Sequence, residues 1–294
     1  MRKTNKSSQV ILIVFLSFLS ILVVLPFVML LSISLSNEAQ IVKNGYSLIP
    51  RDFDLSAYKH VFKNPGQILQ AYKVTAIFSF VCMGLSVVLM SMLAYPLSKR
   101  GFKGKKTISF YVYFTMLFSG GLVPSYILTT QYLHLDDTIW VYILPVLINP
   151  WYVFMIRTFF QDIPYEISES AFIDGAREFT IFFKIILPLS KPVLATVALF
   201  TFLNRWNDWN TSMLYINDEN LISLQYLLQR IMEDINLIKN AAANMVAINI
   251  GEMDIPSETV RMAMAVVVAG PALVIFPFFQ KYFVKGLTVG SVKG

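Results

Sequence analysis

The residues that could take part in chemistry stand close together in the stretch 169–192, which reads ESAFIDGAREFTIFFKIILPLSKP. Glu169 and Asp174 supply carboxylates, Arg177 supplies a cation, and an Asp-Gly pair breaks the helical pattern. Such groups can bind a charged partner. No apolar run of the chain carries a paired acid or a serine beside a base, so nothing there activates a nucleophile. We therefore expect recognition at this stretch and no catalytic residues in the chain.

Candidates for metal, redox or nucleotide chemistry are few. Cys82 is the only cysteine, and the two histidines, His60 and His134, have no partner at ligand spacing. The segment 103–107, KGKKT, lacks the first glycine and the hydroxyl position of a phosphate-binding loop. The sequence predicts no metal site and no cofactor in this chain.

The elements that must position residues 169–192 are membrane helices. The chain is 56% hydrophobic and 14% charged, with a mean hydropathy of +0.60, and a spanning helix needs about 20 apolar residues. We predict an all-α polytopic membrane protein with six transmembrane helices. The predicted spans are 10–36, 71–98, 107–131, 138–160, 191–214 and 259–283.

The basic residues set the orientation. Fifteen of the 24 lysines and arginines fall in the segments that face inside if the N-terminus is inside, or at the inner ends of the adjoining spans. The segments 1–9, 99–106, 161–190 and 284–294 are then cytoplasmic, and 37–70 and 215–258 are extracytoplasmic. We expect a bacterial-type cell membrane with both termini in the cytoplasm. The net charge of +6 follows from this bias and does not indicate nucleic acid.

No acidic residue lies within the five clearest apolar runs. Ion-coupled carriers commonly hold their ion with a carboxylate near the middle of the membrane. The pattern therefore disfavours an ion-coupled secondary carrier of a small polar solute, which stays as the alternative. A membrane scaffold without cargo is a third possibility.

The segment 161–190 predicts a helix-turn-helix beneath the membrane. Pro164 suits a first helical turn, Asp162 can accept its free amides, and Gly175 allows a sharp exit. A second helix would place one apolar face toward the membrane, formed by Phe179, Phe182, Phe183, Ile186 and Leu187. An interfacial hairpin with no partner is the alternative.

The order Glu169-Ser170-Ala171, three residues, Gly175, nine residues, Ile185-x-Leu187-Pro188 resembles the EAA loop of the permease subunits of ABC importers. Ser170 stands where that family usually has alanine. Six spans, the stretch 206–208 and the ending 286–294 are similar to the smaller permease of the maltose and oligosaccharide importers. The pair Leu224-Gln225 and the run 215–218 resemble the branch for complex oligosaccharides and polysaccharide fragments.

This resemblance implies a function and partners. The first helix of the loop would couple to a separate ATPase, and the C-terminal tail would reach the ATPase dimer. The chain would pair with a second permease, two ATPase subunits that carry ATP and Mg, an extracytoplasmic solute-binding protein and a sugar, within membrane lipid. The implied coupling residues are Glu169, Ser170, Ala171, Asp174, Gly175, Ala176 and Arg177, and the implied tail contacts are Gly290, Lys293 and Gly294.

Aromatic and amide side chains predict a sugar path at the outer end of the fifth span. They are Trp206, Asn207, Asp208 and Trp209, with Tyr152 of the fourth span as a further candidate. An aromatic belt at the membrane interface is the alternative. The run 120–124, GGLVP, is expected to bend the third span, and leucines and isoleucines from 221 to 238 predict an amphipathic outer helix.

Overall fold

The computed structural model describes the backbone of residues 6–245 and 258–290, and the side chains of 9–237 and 258–280. Within these ranges the secondary structure is helical, and the one strand-like contact is an isolated bridge between Ser36 and Phe53. The predicted all-α class is confirmed. The chain divides into one unit of residues 1–68 and 228–270 and another of residues 69–227 and 271–294.

Among the described residues, three helices are each long and apolar enough to cross a membrane: α1 (Lys6–Ser34), α4 (Pro65–Ser98) and α14 (Glu258–Gly290). In lipid, every backbone N–H and C=O group must be hydrogen-bonded within the protein. An α-helix satisfies these groups within one segment, so uncharged apolar runs of this length form helices. Large apolar side chains of α1 stay exposed in this chain, such as Ile11 at 69%. Lipid or another subunit must cover them.

The remaining candidate spans are pairs of helices with a sharp bend. The first pair is α5 (Lys105–Leu117) followed by α6 (Leu122–Ile127), which continues to Tyr132 as a π-helix, and it bends by 113°. The break falls at Gly120 and Gly121, where Gly121 has a φ of 86°, a value that glycine adopts without strain. The expected bend is therefore present.

Two further pairs bend less. Short 3-10 turns at Ile139–Tyr142 and Leu144–Val146 precede α7 (Pro150–Asp162) with a bend of 49°. The last pair bends by 79° between Glu178–Leu189 and α11 (Lys191–Trp206), and the predicted fifth span begins with α11. By length and composition the described helices allow up to six spans. The predicted span limits themselves stay predictions.

Shorter helices complete the chain. They are α2 (Glu38–Asn44), α3 (Ser56–Val61), α8 (Tyr165–Ile173), α9 (Glu178–Ile181), α10 (Leu187–Leu189), α12 (Asn210–Tyr215) and α13 (Leu224–Met245). The amphipathic outer helix predicted from 221 to 238 is α13. Its residues Leu224, Leu227, Leu228 and Ile235 are buried, while Ile238 lies outside the described side chains.

In the first unit, a buried carboxylate holds the start of α14. Glu38 is 7% exposed and accepts hydrogen bonds from the backbone N–H groups of Glu258 (3.0 Å) and Thr259 (2.9 Å). The hydroxyl of Thr259 donates to the same carboxylate at 2.7 Å. The first amides of a helix have no partner within the helix, and an acid there also complements the helix dipole. Glu38 is thus the N-terminal cap of a spanning helix.

In the second unit, one apolar core joins α4, α7, α11 and the loop 161–190. Its members are Met90, Ala94, Leu97, Val153, Ile156, Phe160, Ile181, Phe182, Ile186, Val193 and Val197. Each is at most 7% exposed. The loop therefore has part of its own sequence inside the core that packs three spanning segments, and this anchoring fixes the position of its outer surface.

Candidate functional site: the coupling loop 161–190

The first helix of the loop, α8, begins after Pro164, whose ring presets the backbone for a helical start. Asp162 is the last residue of α7, and no side chain caps the amides of α8. The expected cap by Asp162 is therefore absent. Glu166 in the first turn places a negative charge near the N-terminus of α8, where the helix dipole favours it.

A Schellman motif ends α8. The N–H of Ala176 donates to the carbonyl of Ala171 and the N–H of Gly175 donates to that of Phe172, both at 3.0 Å. These are the paired bonds by which a helix closes its last turn. Gly175, at φ 82°, occupies the left-handed position that the motif requires. The spacing of Ala171, Gly175 and Ala176 is thus the spacing of a helix stop.

The two alanines of this motif face inward. Ala171 and Ala176 pack against the core of the second unit, and their small side chains let the backbone of the loop come close to it. The outward side carries large apolar groups, with Phe172 at 65% exposure and Ile173 at 79%. Exposed apolar side chains of this size next to charged ones are typical of a surface that another protein covers.

Carboxylates frame this apolar ridge. Glu166, Glu169 and Asp174 are all exposed, and Glu169 forms no hydrogen bond or ion pair with any residue that the structure describes. Ser170, the position that departs from the resembled motif, is also exposed, so its hydroxyl stays in solvent. The surface of α8 combines an apolar ridge with free negative charge. We call residues 165–177 the coupling surface.

The second half of the loop differs from the expected single helix. It consists of α9, a π-helix at Phe182–Ile186 and α10. A π-turn adds a residue to the helical repeat and so rotates the faces on either side of it relative to each other. Phe182 and Ile186 are buried, whereas Phe179 and Phe183 are 70% and 48% exposed. The predicted face of five apolar residues is therefore split into a buried pair, an exposed pair and Leu187, which is partly buried against the core.

A polar clamp ties the loop to the end of α4. The hydroxyl of Tyr95 donates to the carboxylate of Glu178 at 2.5 Å, and the ammonium of Lys99 lies 3.2 Å from the same oxygen. Lys99 also sits 4.6 Å above the ring of Tyr95, which packs against Phe182. We call Tyr95, Lys99 and Glu178 the clamp. It holds the loop just after the coupling surface.

The clamp sets the ionisation of its acid. Burial acts to raise the pKa of Glu178, but the hydrogen bonds from Tyr95 and Lys99, together with the charge of Lys99, outweigh burial. The pKa of Glu178 therefore lies below its ordinary value of 4.5. Sequence reasoning missed these three residues because Tyr95 and Glu178 are 83 positions apart. The one available signal was opposite charge on the two neighbouring segments.

The predicted sugar-path residues fall into two groups. In the first, Trp206 is 3% exposed and packs on Phe202 and Tyr72, with ring centroids 5.6 and 6.1 Å away. Asp208 accepts from Arg205 at 2.8 Å and caps α12 through Thr211. Both side chains hold local structure in this chain, so their surfaces are not open to a sugar here.

The second group is more open. The oxygen of the Asn207 side chain accepts from Gln225 at 2.9 Å, and Trp209 is 42% exposed. The hydroxyl of Tyr152 accepts a hydrogen bond from the side chain of Asn204 at 3.2 Å. Tyr152 is therefore hydrogen-bonded to Asn204 and not to a residue of the 206–209 stretch. Of the predicted tail contacts, Gly290 ends α14, while Lys293 and Gly294 lie outside the described residues.

Comparison with known proteins agrees with this fold and loop. Residues 1–289 match the family described as the binding-protein-dependent transport system inner membrane component. The chain belongs to this family, which is one of membrane-embedded transport permeases. The resemblance to the permease subunits of ABC importers is confirmed. The chain is a multi-pass membrane protein.

Individual relatives match over nearly full length. The chain is 38% identical to protein LplC of Bacillus subtilis (strain 168), over 99% of this chain and 97% of that protein. It is 37% identical to the polygalacturonan/rhamnogalacturonan transport system permease protein YtcP of the same organism, over 99% of both. Among solved structures, it superposes with a TM-score of 0.79 and 28% identity on a chain of a bacterial ABC transporter involved in the import of the acidic polysaccharide alginate. That match covers 96% of this chain and all of the other.

Proposed function

We propose that this chain is one half of the translocation pathway of an ATP-driven importer for oligosaccharides or polysaccharide fragments. Relatives that are permeases for such cargo support this class, since two of them are described as transporting polygalacturonan/rhamnogalacturonan and alginate. The partners are a second permease, two ATPase subunits and a solute-binding protein outside the cell. ATP and Mg bind to the ATPases, and this chain contributes no catalytic residue.

The coupling surface carries the proposal. It presents an apolar ridge, Phe172 and Ile173, beside exposed carboxylates, and its back is anchored in the core of the spanning helices. An ATPase groove with apolar and basic lining would complement it, with Glu169 facing the basic groups. Asp174 and Arg177 flank the turn at Gly175 and complete the contact.

Transport follows from differential binding. Two ATPase subunits that close on ATP move the coupling surfaces that they hold, and the anchored core transmits the movement to the spanning segments. The ATPase must bind the coupling surface differently in its two states, since a ligand with equal affinity for both shifts nothing. Both termini face the cytoplasm in this arrangement, as do the coupling loop and the basic segment 99–106.

The test is uptake into vesicles that contain the complete importer. We expect uptake of oligogalacturonides or alginate oligosaccharides that needs ATP and binding protein and persists when ionophores remove all ion gradients. Uptake that stops with the ionophores and ignores ATP would instead identify an ion-coupled carrier.

A further inference from the structure

A cavity of about 550 Å³ opens where the end of α4 meets the second half of the coupling loop. Met92, Pro96 and Phe182 supply apolar lining, and Tyr95 of the clamp forms part of the wall. A cavity of this size can hold a small ligand or part of a larger one. Tyr165 is the one residue of α8 that lines this cavity. The cavity is therefore not part of the surface that would contact the ATPase.

The mouth of the cavity carries exposed aromatic rings. Phe102 and Phe179 line it and are 37% and 70% exposed. Both follow the end of a spanning segment or lie in a loop next to one, which is the depth at which aromatic side chains meet lipid headgroups. Transfer of these phenylalanine rings from water into lipid is favourable, so contact of Phe102 and Phe179 with lipid would stabilise them.

Two cations line the same cavity, and three more follow them along the chain. Lys99 and Arg100 line the cavity, and Lys103, Lys105 and Lys106 follow without any acid between 99 and 106. The only acid of the lining is Glu178, which Tyr95 and Lys99 already hold. Arg100 is exposed beyond the clamp, 5.9 Å from the ring of Tyr165. The charge therefore favours an anion at the mouth.

We propose that this cavity binds an anionic phospholipid of the inner leaflet. Its phosphate lies against Arg100 and Lys99, and the upper part of one acyl chain lies along the apolar lining. Basic pockets beside spanning helices are suited to such headgroups. A soluble phosphate would leave the apolar lining uncovered, and a lipid without net charge would leave the excess positive charge of the mouth unbalanced. The side of the membrane rests on the proposed function, whereas the cavity and its charge do not.

A lipid at this position would contact both α4 and the coupling loop. It would add a second link beside the clamp, because Phe179 and Phe182 belong to the loop and Met92 and Pro96 belong to α4. An anionic lipid would thereby stabilise the loop against the spanning core. We expect anionic lipid to raise the thermal stability of the importer in proportion to occupancy of this site.

Native mass spectrometry of the complete importer, purified from nanodiscs of phosphatidylglycerol or of phosphatidylcholine, tests the proposal. We expect retained phosphatidylglycerol on the wild type and about tenfold weaker retention after Arg100→Gln with Lys103→Gln, since each cation near the surface contributes to lipid attraction. The matched control, Lys63→Gln with Lys73→Gln, removes two exposed charges that lie outside both the cavity lining and the basic segment 99–106, and it should retain lipid normally. Glycerol phosphate in solution should not displace the lipid.

A photoreactive phenylalanine analogue at position 179 provides a second readout on an otherwise unaltered importer. Labelling of phosphatidylglycerol supports the proposal. Three results would overturn it. They are labelling of the ATPase subunit in place of lipid, equal retention of phosphatidylglycerol by the Arg100→Gln/Lys103→Gln variant and its control, and equal retention of phosphatidylglycerol and phosphatidylcholine by the wild type. ATP-driven uptake is measured separately, so failure of lipid binding and failure of the transport function are distinguishable.

Discussion

Gly175 shows how a single backbone angle can specify a coupling surface. Apart from the glycine itself and its two chain neighbours, no described residue has an atom within 4 Å of a methyl group placed at this position, so space does not demand glycine. The φ of 82° does, because it belongs to the region that residues with side chains rarely adopt. Only with this angle can Ala176 close the turn on Ala171. Glycine is therefore favoured at position 175 by the backbone conformation and not by lack of space.

Substitution of Gly175 should therefore depend on backbone preference. We expect Gly175→Val to leave membrane insertion intact and to uncouple ATP hydrolysis from uptake, because valine strains this angle by about 1–2 kcal/mol. Gly175→Asn should remain close to wild type, since asparagine tolerates the left-handed region. The measurement is ATP hydrolysed per sugar imported in reconstituted vesicles. Equal ratios for the valine variant and wild type would contradict the role of the turn.

The clamp predicts a pH-dependent contribution to stability. The pKa of Glu178 is lowered in the folded state, so its contribution is complete above the ordinary value of 4.5 and is lost as the pH falls through the lowered pKa. We expect Glu178→Gln to lower Tm at pH 7 by about 1–2 °C, a small effect because the side chain of Glu178 is 59% exposed. The difference should shrink below pH 4.5. A difference that grows with acidity would refute this account of the clamp.

Tyr95→Phe separates the hydrogen bond from the ring packing. The variant keeps the contacts with Phe182 and Phe160 and loses only the hydroxyl that donates to Glu178. We expect near-normal assembly with a higher ratio of ATP hydrolysed to sugar imported. Tyr95→Leu, which loses the ring as well, should also lower stability. If Tyr95→Phe behaves like the wild type and only Tyr95→Leu is impaired, ring packing and not the hydroxyl matters.

At the scale of the element, helix ends depend on residues that are distant in sequence. The start of α14 is capped by Glu38, which is 220 positions before Glu258. We expect Glu38→Ala to destabilise the protein by about 2 kcal/mol, because two helix amides and one hydroxyl lose a charged acceptor in a buried place. Lys43→Ala, at an exposed position of the same helix α2, is the matched control. Thermal unfolding in detergent measures both, and equal effects would count against the cap.

Elements also show what the sequence could and could not predict. Uncharged apolar runs predicted α1, α4 and α14, and the Gly120-Gly121 pair predicted the break after α5, because both signals are local. The π-turn at Phe182–Ile186 left no such signal. It separates the exposed Phe179 and Phe183 from the buried Phe182 and Ile186, so counting at 3.6 residues per turn did not predict which of these residues join the core.

Local sequence also failed where distant contacts decide. Trp206 was a candidate for a sugar path or for an aromatic belt at the interface, whereas in the structure it is buried against Phe202 and Tyr72. The clamp between Tyr95 and Glu178 was not expected at all. Motif spacing, in contrast, predicted the turn at Gly175 together with its backbone conformation, since a Schellman motif is contained within about six residues.

At the scale of the whole molecule, we expect this chain to be operated by another protein. Its coupling surface is exposed and charged, and Ala171 and Ala176 on the inner side of that surface pack against the core of the second unit. Its family is one of transport permeases. The complete importer should co-purify in mild detergent as permeases with ATPase subunits. The binding protein should join it when sugar is present.

The central claim is that an ATPase grips the coupling surface, and site-directed cross-linking measures this most directly. The only cysteine, Cys82, is buried, so Cys82→Ser gives a cysteine-free background for Ser170→Cys and for Ser119→Cys, an exposed control outside the loop. A photoactivatable thiol reagent at position 170 should join this chain to the ATPase with a yield that changes when ATP is added, while position 119 gives no such product. Absence of the ATPase product at position 170 in an importer that still drives uptake would contradict the account.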